Sequence, residues 1–335
     1  MSPLRRATLR CGHKNSTFVK ERPRRSVALR TKRVNTAAIQ VMHDLSSGQP
    51  PRLALLGAGA VGRALARSLS QAGYTLTAIL DRQAPSAREL AREVSAGRAG
   101  SDPALLRRDT DLLIVAVPDG QIAAVDRAVA RRLPELALAA CLHTSGALPG
   151  SEFQRLAQAG VAVGSLHPLQ TFPARGPSPA LQGTYFALEG DSALVASLRA
   201  VVERLGGIPV EIRSEGKAAY HAAAVFASNF LPVLLRLALE LLTEAGVARE
   251  QGSAMLAPLM RRSLENVLTL GETAALTGPV ARGDAATVQR HREALNRSSP
   301  AGEALYRMLS LKALELALEQ GLDSARADLV QEVLT

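Results

Sequence analysis

The chain has 335 residues, a formal net charge of +10, 47% hydrophobic residues and two cysteines. That length and apolar share suffice for a buried core and two domains, while Cys11 and Cys141 exclude a disulfide framework or a C-x-x-C metal pair. Residues 1–41 hold eleven Arg and Lys against Glu21 alone, so the other 29 basic and 29 acidic residues cancel, and the body gives no electrostatic reason to expect a nucleic-acid partner.

The Arg-, Ser- and Thr-rich start has no hydrophobic period, which predicts a disordered basic extension and linker over 1–49. It lacks the apolar segment of a secretory signal and resembles an organellar transit peptide in composition; the simpler reading places the true start at Met42. A nucleic-acid adaptor could rest on this segment alone, and its binding would be salt-sensitive. The apolar stretch Phe230 to Leu242 is broken by Arg236 and Glu240 and is too short to cross a bilayer. A soluble protein of a reducing, cytoplasmic compartment is expected, with no membrane partner.

Leu53-Ala54-Leu55-Leu56 leads into Gly57-Ala58-Gly59-Ala60-Val61-Gly62 and then a helix pattern, Arg63 to Leu69. Strand, tight turn and helix around G-x-G-x-x-G is the context of dinucleotide binding. Gly57 can take the positive φ of the turn, Gly59 has no Cβ to block a pyrophosphate, and Gly62 lets the helix pack closely. The free N–H groups of the helix start would face the phosphates; a glycine-rich turn without a ligand is the plain alternative. Thr75 to Leu80 reads as the second strand, and Asp81 stands 19 residues after Gly62. An acid there suits the 2′-hydroxyl of NAD and the adjacent Arg82 the 2′-phosphate of NADP, so the pair points to NAD or NADP.

A helix is expected around 87–94. Asp111 to Asp119 then reads as a central strand, ended by Pro118 at the edge where ligands bind, with Val117, Pro118 and Asp119 toward the cofactor. Strands 138–142 and 161–166 end in His143-Thr144-Ser145-Gly146 and in His167, placing imidazoles and hydroxyls at that edge for substrate or cofactor. Two histidines without a third ligand do not make a metal site. A further strand–helix–strand unit covers 184–212. Strand patterns then stop, which divides the chain into an α/β domain over 50–213 and an all-helical substrate and dimerisation domain over 214–335.

The first long helix carries Lys217, Tyr220, His221, Ser228 and Asn229 among alanines. At 100° per residue His221 lies about 40° and Ser228 about 20° round from Lys217, with Asn229 flanking. The body has 27 Arg and only two Lys, so Lys217 suggests an amine that can donate a proton; a solvent lysine and an interface histidine would look the same. Arg282, in a Gly-rich bend, suits an anionic group, and Asp284 and Ser299-Pro300 read as helix starts. The leucines of 305–318 read as core or dimer packing.

Together these blocks, Gly57–Gly62, Leu142–Gly146, Leu166–Phe172, Tyr220-His221 with Ser228-Asn229, and Leu276–Asp284, resemble the bacterial oxidoreductases that join a Rossmann-like domain to a helical domain of unknown function. These are allied to the 6-phosphogluconate dehydrogenase and ketopantoate reductase superfamily. The resemblance covers nearly everything after residue 50. It implies a Rossmann-type doubly wound parallel sheet that binds NAD(P), then an all-α 6-phosphogluconate dehydrogenase C-terminal-like domain that dimerises, with a small substrate in the cleft between them. In better-known relatives a helix lysine protonates the carbonyl oxygen and an asparagine one turn on orients the substrate. Here Lys217 is comparably placed, but His221 stands one turn on and Asn229 comes later, so His221 or Lys217 is the expected acid. The expected activity is hydride transfer to a carbonyl or imine. The alternative is a non-catalytic NAD(P)-binding sensor.

Overall fold

The computed structural model describes residues 51–173 and 179–335; the expectations for the basic extension, Cys11 and Met42 lie outside them. Eight strands form one sheet: β1 (Arg52–Leu56), β2 (Thr75–Leu80), β3 (Arg98–Gly100), β4 (Leu112–Val115), β5 (Ala140–His143), β6 (Ala162–Pro168), β7 (Tyr185–Gly190) and β8 (Ile208–Glu211). Their order is β3-β2-β1-β4-β5-β6-β7-β8. The chain leaves β1 in one direction and returns at β4 in the other, so the switch point of the sheet lies at the end of β1. The β6–β7 pair is antiparallel, with Leu166 opposite Leu188, inside the expected doubly wound sheet whose other pairs are parallel. Period-2 hydrophobicity reports which face a residue occupies, never strand direction.

Alternation within strands separates two cores. Leu53, Leu55, Ile79, Leu112 and Ile114 pack under α1 (Ala60–Gln71), α2 (Ala84–Glu93) and α5 (Ser192–Arg204). Ala54, Leu80, Leu113, Val115 and Cys141 pack under α3 (Ile122–Ala130) and α4 (Gln154–Gln158) on the other face. With both faces covered, the central strands read as unbroken apolar runs.

From Lys217 onward everything regular is helical: α6 (Lys217–Ala224), a π turn over Val225–Asn229, α7 (Phe230–Glu244), α8 (Arg249–Leu270), α9 (Glu272–Ala275), α10 (Ala285–Ser298), α11 (Pro300–Glu319) and α12 (Ser324–Leu334). The expected caps form: Asp284 accepts the N–H of Thr287 and Ser299 that of Gly302. The last three helices enclose a core of Val280, Val288, Leu314, Ala327, Val330 and Leu334. In contrast, α7 buries only Leu239 and α8 only Gly252.

Residues 214–244 run as one 31-residue helical segment whose most apolar window is 6% buried, long and apolar enough by length and composition to cross a membrane. This corrects the reading of Phe230 to Leu242 as too short, because the alanines before it continue the same helix. Its first turn is nevertheless tied to the sheet, as described next.

Candidate functional site

The three glycines of the first loop have distinct geometries. Gly57 has φ +110°, and a Cβ there would lie 2.2 Å from the Ala116 carbonyl oxygen. One on Gly62 would meet the Gly57 oxygen at 1.9 Å, whereas a Cβ on Gly59 meets nothing within 4 Å. The loop is therefore closed against its own sheet and open outward at Gly59. Helix α1 begins there with no side-chain cap and no acid in its first turn, leaving the N–H groups around Ala60 and Val61 for an anion. Asp81 Oδ2 accepts the Ala58 N–H at 2.7 Å and Oδ1 that of Gln83 at 2.8 Å; Arg82 beside it is exposed. These residues fit a dinucleotide: a cradle, a helix N-terminus, and an acid and a base at the end of β2.

At the same sheet edge a cavity of about 230 Å³ is lined by Val61, Val117, Asp119, Thr144, Ser145, Gly146, His167, Pro168, Phe172 and His221. The first turn of α1, the ends of β4, β5 and β6, and α6 contribute to it, because those strands end side by side next to β1 and α6 starts above them. Ser145 Oγ donates to Asp119 Oδ2 at 2.9 Å and accepts the Leu148 N–H at 3.0 Å, so its turn is fixed. The His167 and His221 rings stand nearly perpendicular, 6.2 Å apart. Burial, then the nearby Lys217 and His221, lower the pKa of His167 to about 4, keeping it neutral near pH 7. Pro118 is exposed just before the short turn that starts at Asp119.

Several expected site residues stand elsewhere. His143 is fully buried; its Nδ1 accepts the Ser145 N–H at 3.2 Å and its Nε2 is 3.0 Å from the Pro149 carbonyl. It braces the loop from beneath instead of facing the cavity. Lys217 is 1% exposed, and its Nζ donates to Ser145 O at 2.8 Å and Ser165 Oγ at 2.6 Å. Ser165 in turn donates to Glu189 Oε2 at 3.1 Å, and Glu189 also accepts the Gly150 N–H and the Ser214 hydroxyl. Burial lowers the pKa of Lys217 to about 8 although Glu189 and Asp119 oppose the shift.

Nor do Ser228, Asn229 or the exposed Arg282 line the cavity. Ser228 Oγ is 2.8 Å from the Ala224 carbonyl oxygen and 2.9 Å from Asn229 Oδ1, inside the π turn. Bonds of the i→i+5 type rotate this turn out of the 100° register, which breaks the expected stripe of Lys217, His221 and Ser228. Sequence reasoning missed Ser165, Glu189 and the contact of the Tyr220 hydroxyl with His167 Nδ1 at 2.8 Å. An acid inside the apolar run Tyr185–Glu189 was the available signal, since a strand buries such a group only with partners. Among the described residues no cluster of three His, Cys, Asp or Glu could hold a metal.

Comparison with known proteins agrees with this layout. Residues 52–138 match the family described as NADP oxidoreductase, coenzyme F420-dependent, and residues 184–313 match the domain of unknown function DUF2520. Among solved structures the chain resembles the candidate NADP oxidoreductase BF3122 from Bacteroides fragilis, at 27% identity and TM-score 0.65 over 79% of this chain and 98% of that one. It also resembles protein TM1727 from Thermotoga maritima, at 28% identity and TM-score 0.61 over 80% and 99%. The fold extends to an imine reductase from Myxococcus stipitatus in complex with NADP+, at 21% identity and TM-score 0.55 over 80% and 93%. No curated protein matches the chain. The similarity to the NADP oxidoreductase, coenzyme F420-dependent, family thus runs from β1 past α3, and the similarity to DUF2520 runs from β7, α5 and β8 of the sheet into the helices up to α11.

Proposed function

We propose that the protein is an NAD(P)H-dependent reductase of a small carbonyl or imine compound bound between the glycine loop and α6. The observation that carries this reading is the shared edge: the open cradle at Gly59 and the cavity holding His167 and His221 both include the first turn of α1, through Val61. When bound, the nicotinamide cofactor supplies the hydride. The protein's part is to hold, orient and protonate. The loop N–H groups take the pyrophosphate, and Asp81 and Arg82 meet the adenosine ribose. Thr144, Ser145 and Asp119 offer hydrogen bonds in the cavity. The heteroatom of the reduced bond takes one proton from His221, whose ring lines the cavity, in preference to Lys217, whose ammonium donates to Ser145 and Ser165.

A titration of the full chain with NADPH and NADH tests this first. Tighter binding of NADPH is expected, with Arg82→Ala removing the preference. His221→Ala is expected to retain cofactor affinity and lose about 100-fold in kcat. Binding without turnover of any carbonyl or imine would point to a sensor, and no binding would end the reductase reading.

The same reading includes a homodimer in the cytoplasm. Phe226, Leu259 and Leu268 are 71%, 61% and 78% exposed on the long helices, and an apolar face this broad marks an interaction surface. Wild-type protein is expected to sediment as a dimer and the double variant Leu259→Glu, Leu268→Glu as a folded monomer. A monomeric wild type would contradict it.

A further inference from the structure

His167 has a partner that decides which of its nitrogens carries the proton. Its Nδ1 lies 2.8 Å from the Tyr220 hydroxyl, with the rings edge-on at 5.5 Å. A phenol is the better donor and a bare imidazole nitrogen the better acceptor, so the hydroxyl donates and Nδ1 accepts. A neutral imidazole has one ring proton, which then sits on Nε2. Burial and two neighbouring bases keep the ring neutral. The Nε2 side is the one against the cavity: a Cβ on Gly146 would come within 2.9 Å of His167 Nε2 and 2.7 Å of His221 Cδ2. A glycine there leaves that nitrogen accessible.

We propose that Tyr220 is a positioning residue that holds His167 as the Nε2–H tautomer, a fixed donor to an acceptor oxygen, and that the substrate is an oxo compound or oxo acid rather than a protonated iminium. This rests on the reductase reading above. With Nδ1 occupied, His167 offers the cavity a donor and no acceptor, so the atom it meets has to be an acceptor, which a carbonyl or carboxylate oxygen is and an iminium nitrogen is not. The one carboxylate among the lining residues, Asp119, accepts the Ser145 hydroxyl through Oδ2.

The test is long-range ¹H–¹⁵N correlation of the histidine rings in the full chain, with His167 assigned by its loss in His167→Gln. Nε2–H with bare Nδ1 is expected in the wild type, and a mixture of tautomers in Tyr220→Phe. Nδ1–H in the wild type, or an unchanged ring in Tyr220→Phe, overturns the proposal. The kinetic arm offers NADPH with small ketones, oxo acids and iminium salts. Turnover is expected with the first two classes, with KM raised about tenfold in Tyr220→Phe and His167→Ala and largely restored in His167→Gln, whose amide supplies an N–H near the same place. NADPH affinity should stay constant throughout. Preference for the iminium salts overturns the substrate class. Failure of every compound defeats the reductase reading, and the tautomer measurement still judges the role of Tyr220.

Discussion

Gly59→Val is expected to fold with stability within about 1 kcal/mol of the wild type and to lose at least about 100-fold in NADPH affinity, whereas Gly62→Ala should cost about 3 kcal/mol of stability. The two glycines are three residues apart and differ in what surrounds them. Gly59 has φ −73° and ψ −173°, extended backbone open to any residue, and its missing Cβ faces empty space. A Cβ there touches nothing of the protein, and the branched atoms beyond it extend toward the place a pyrophosphate would need. At Gly62 the added atom would lie 1.9 Å from the oxygen and 3.0 Å from the carbon of the Gly57 carbonyl, backbone atoms that cannot turn aside. Urea unfolding and cofactor titration of the two variants separate the roles. Retained NADPH affinity in Gly59→Val would remove the cradle from the proposed site, and an unperturbed Gly62→Ala would mean that α1 does not sit on the loop as described.

That loop was legible in the sequence because its signals are local: three glycines at fixed spacing, an apolar run before them and a helix pattern after. The caps at Asp284 and Ser299 were legible for the same reason, each requiring only the next turn of helix. The strand ends carrying Ser145 and His167 were legible as a shared edge, since an α/β sheet presents the carboxyl ends of its parallel strands together. What stayed hidden depends on distant partners. His143 and Thr144 are adjacent on one strand end, and only tertiary packing decides that the imidazole goes under the loop while its neighbour reaches the cavity. The π turn at Val225–Asn229 is a slip of the helical ladder that residue periodicity does not record, and it moved Ser228 and Asn229 off the expected face. The depth of Lys217 was hidden too, because its acceptors come from distant segments, Ser145 from the loop after β5 and Ser165 from β6.

Lys217 is the residue for which that depth changes the expected experiment most. Lys217→Met should lower stability at pH 7 by about 3 kcal/mol. The substitution keeps the volume but removes two hydrogen bonds, leaving the Ser145 carbonyl without its donor and Glu189 without a nearby cation. Because Glu189 joins Lys217 through Ser165, the Glu189→Gln variant and the double variant should show a coupling of about 1 kcal/mol. The pH dependence has a definite sign. The folded pKa of Lys217 is about 8, below the 10.5 of a free lysine, so between those values the unfolded chain holds more protons than the native state. Wild-type stability therefore gains on that of Lys217→Met as pH rises through 8 toward 10. Taking the difference between the two proteins cancels the contribution of Tyr74, Cys141, Tyr220 and Tyr306, whose ionisation burial also opposes. A flat difference would mean that the ammonium is solvated in the folded state, returning Lys217 to the cavity as a rival to His221 for the proton. A difference that rises would tie Lys217 to the hold of the helical domain on the sheet and leave the proton transfer to the imidazole.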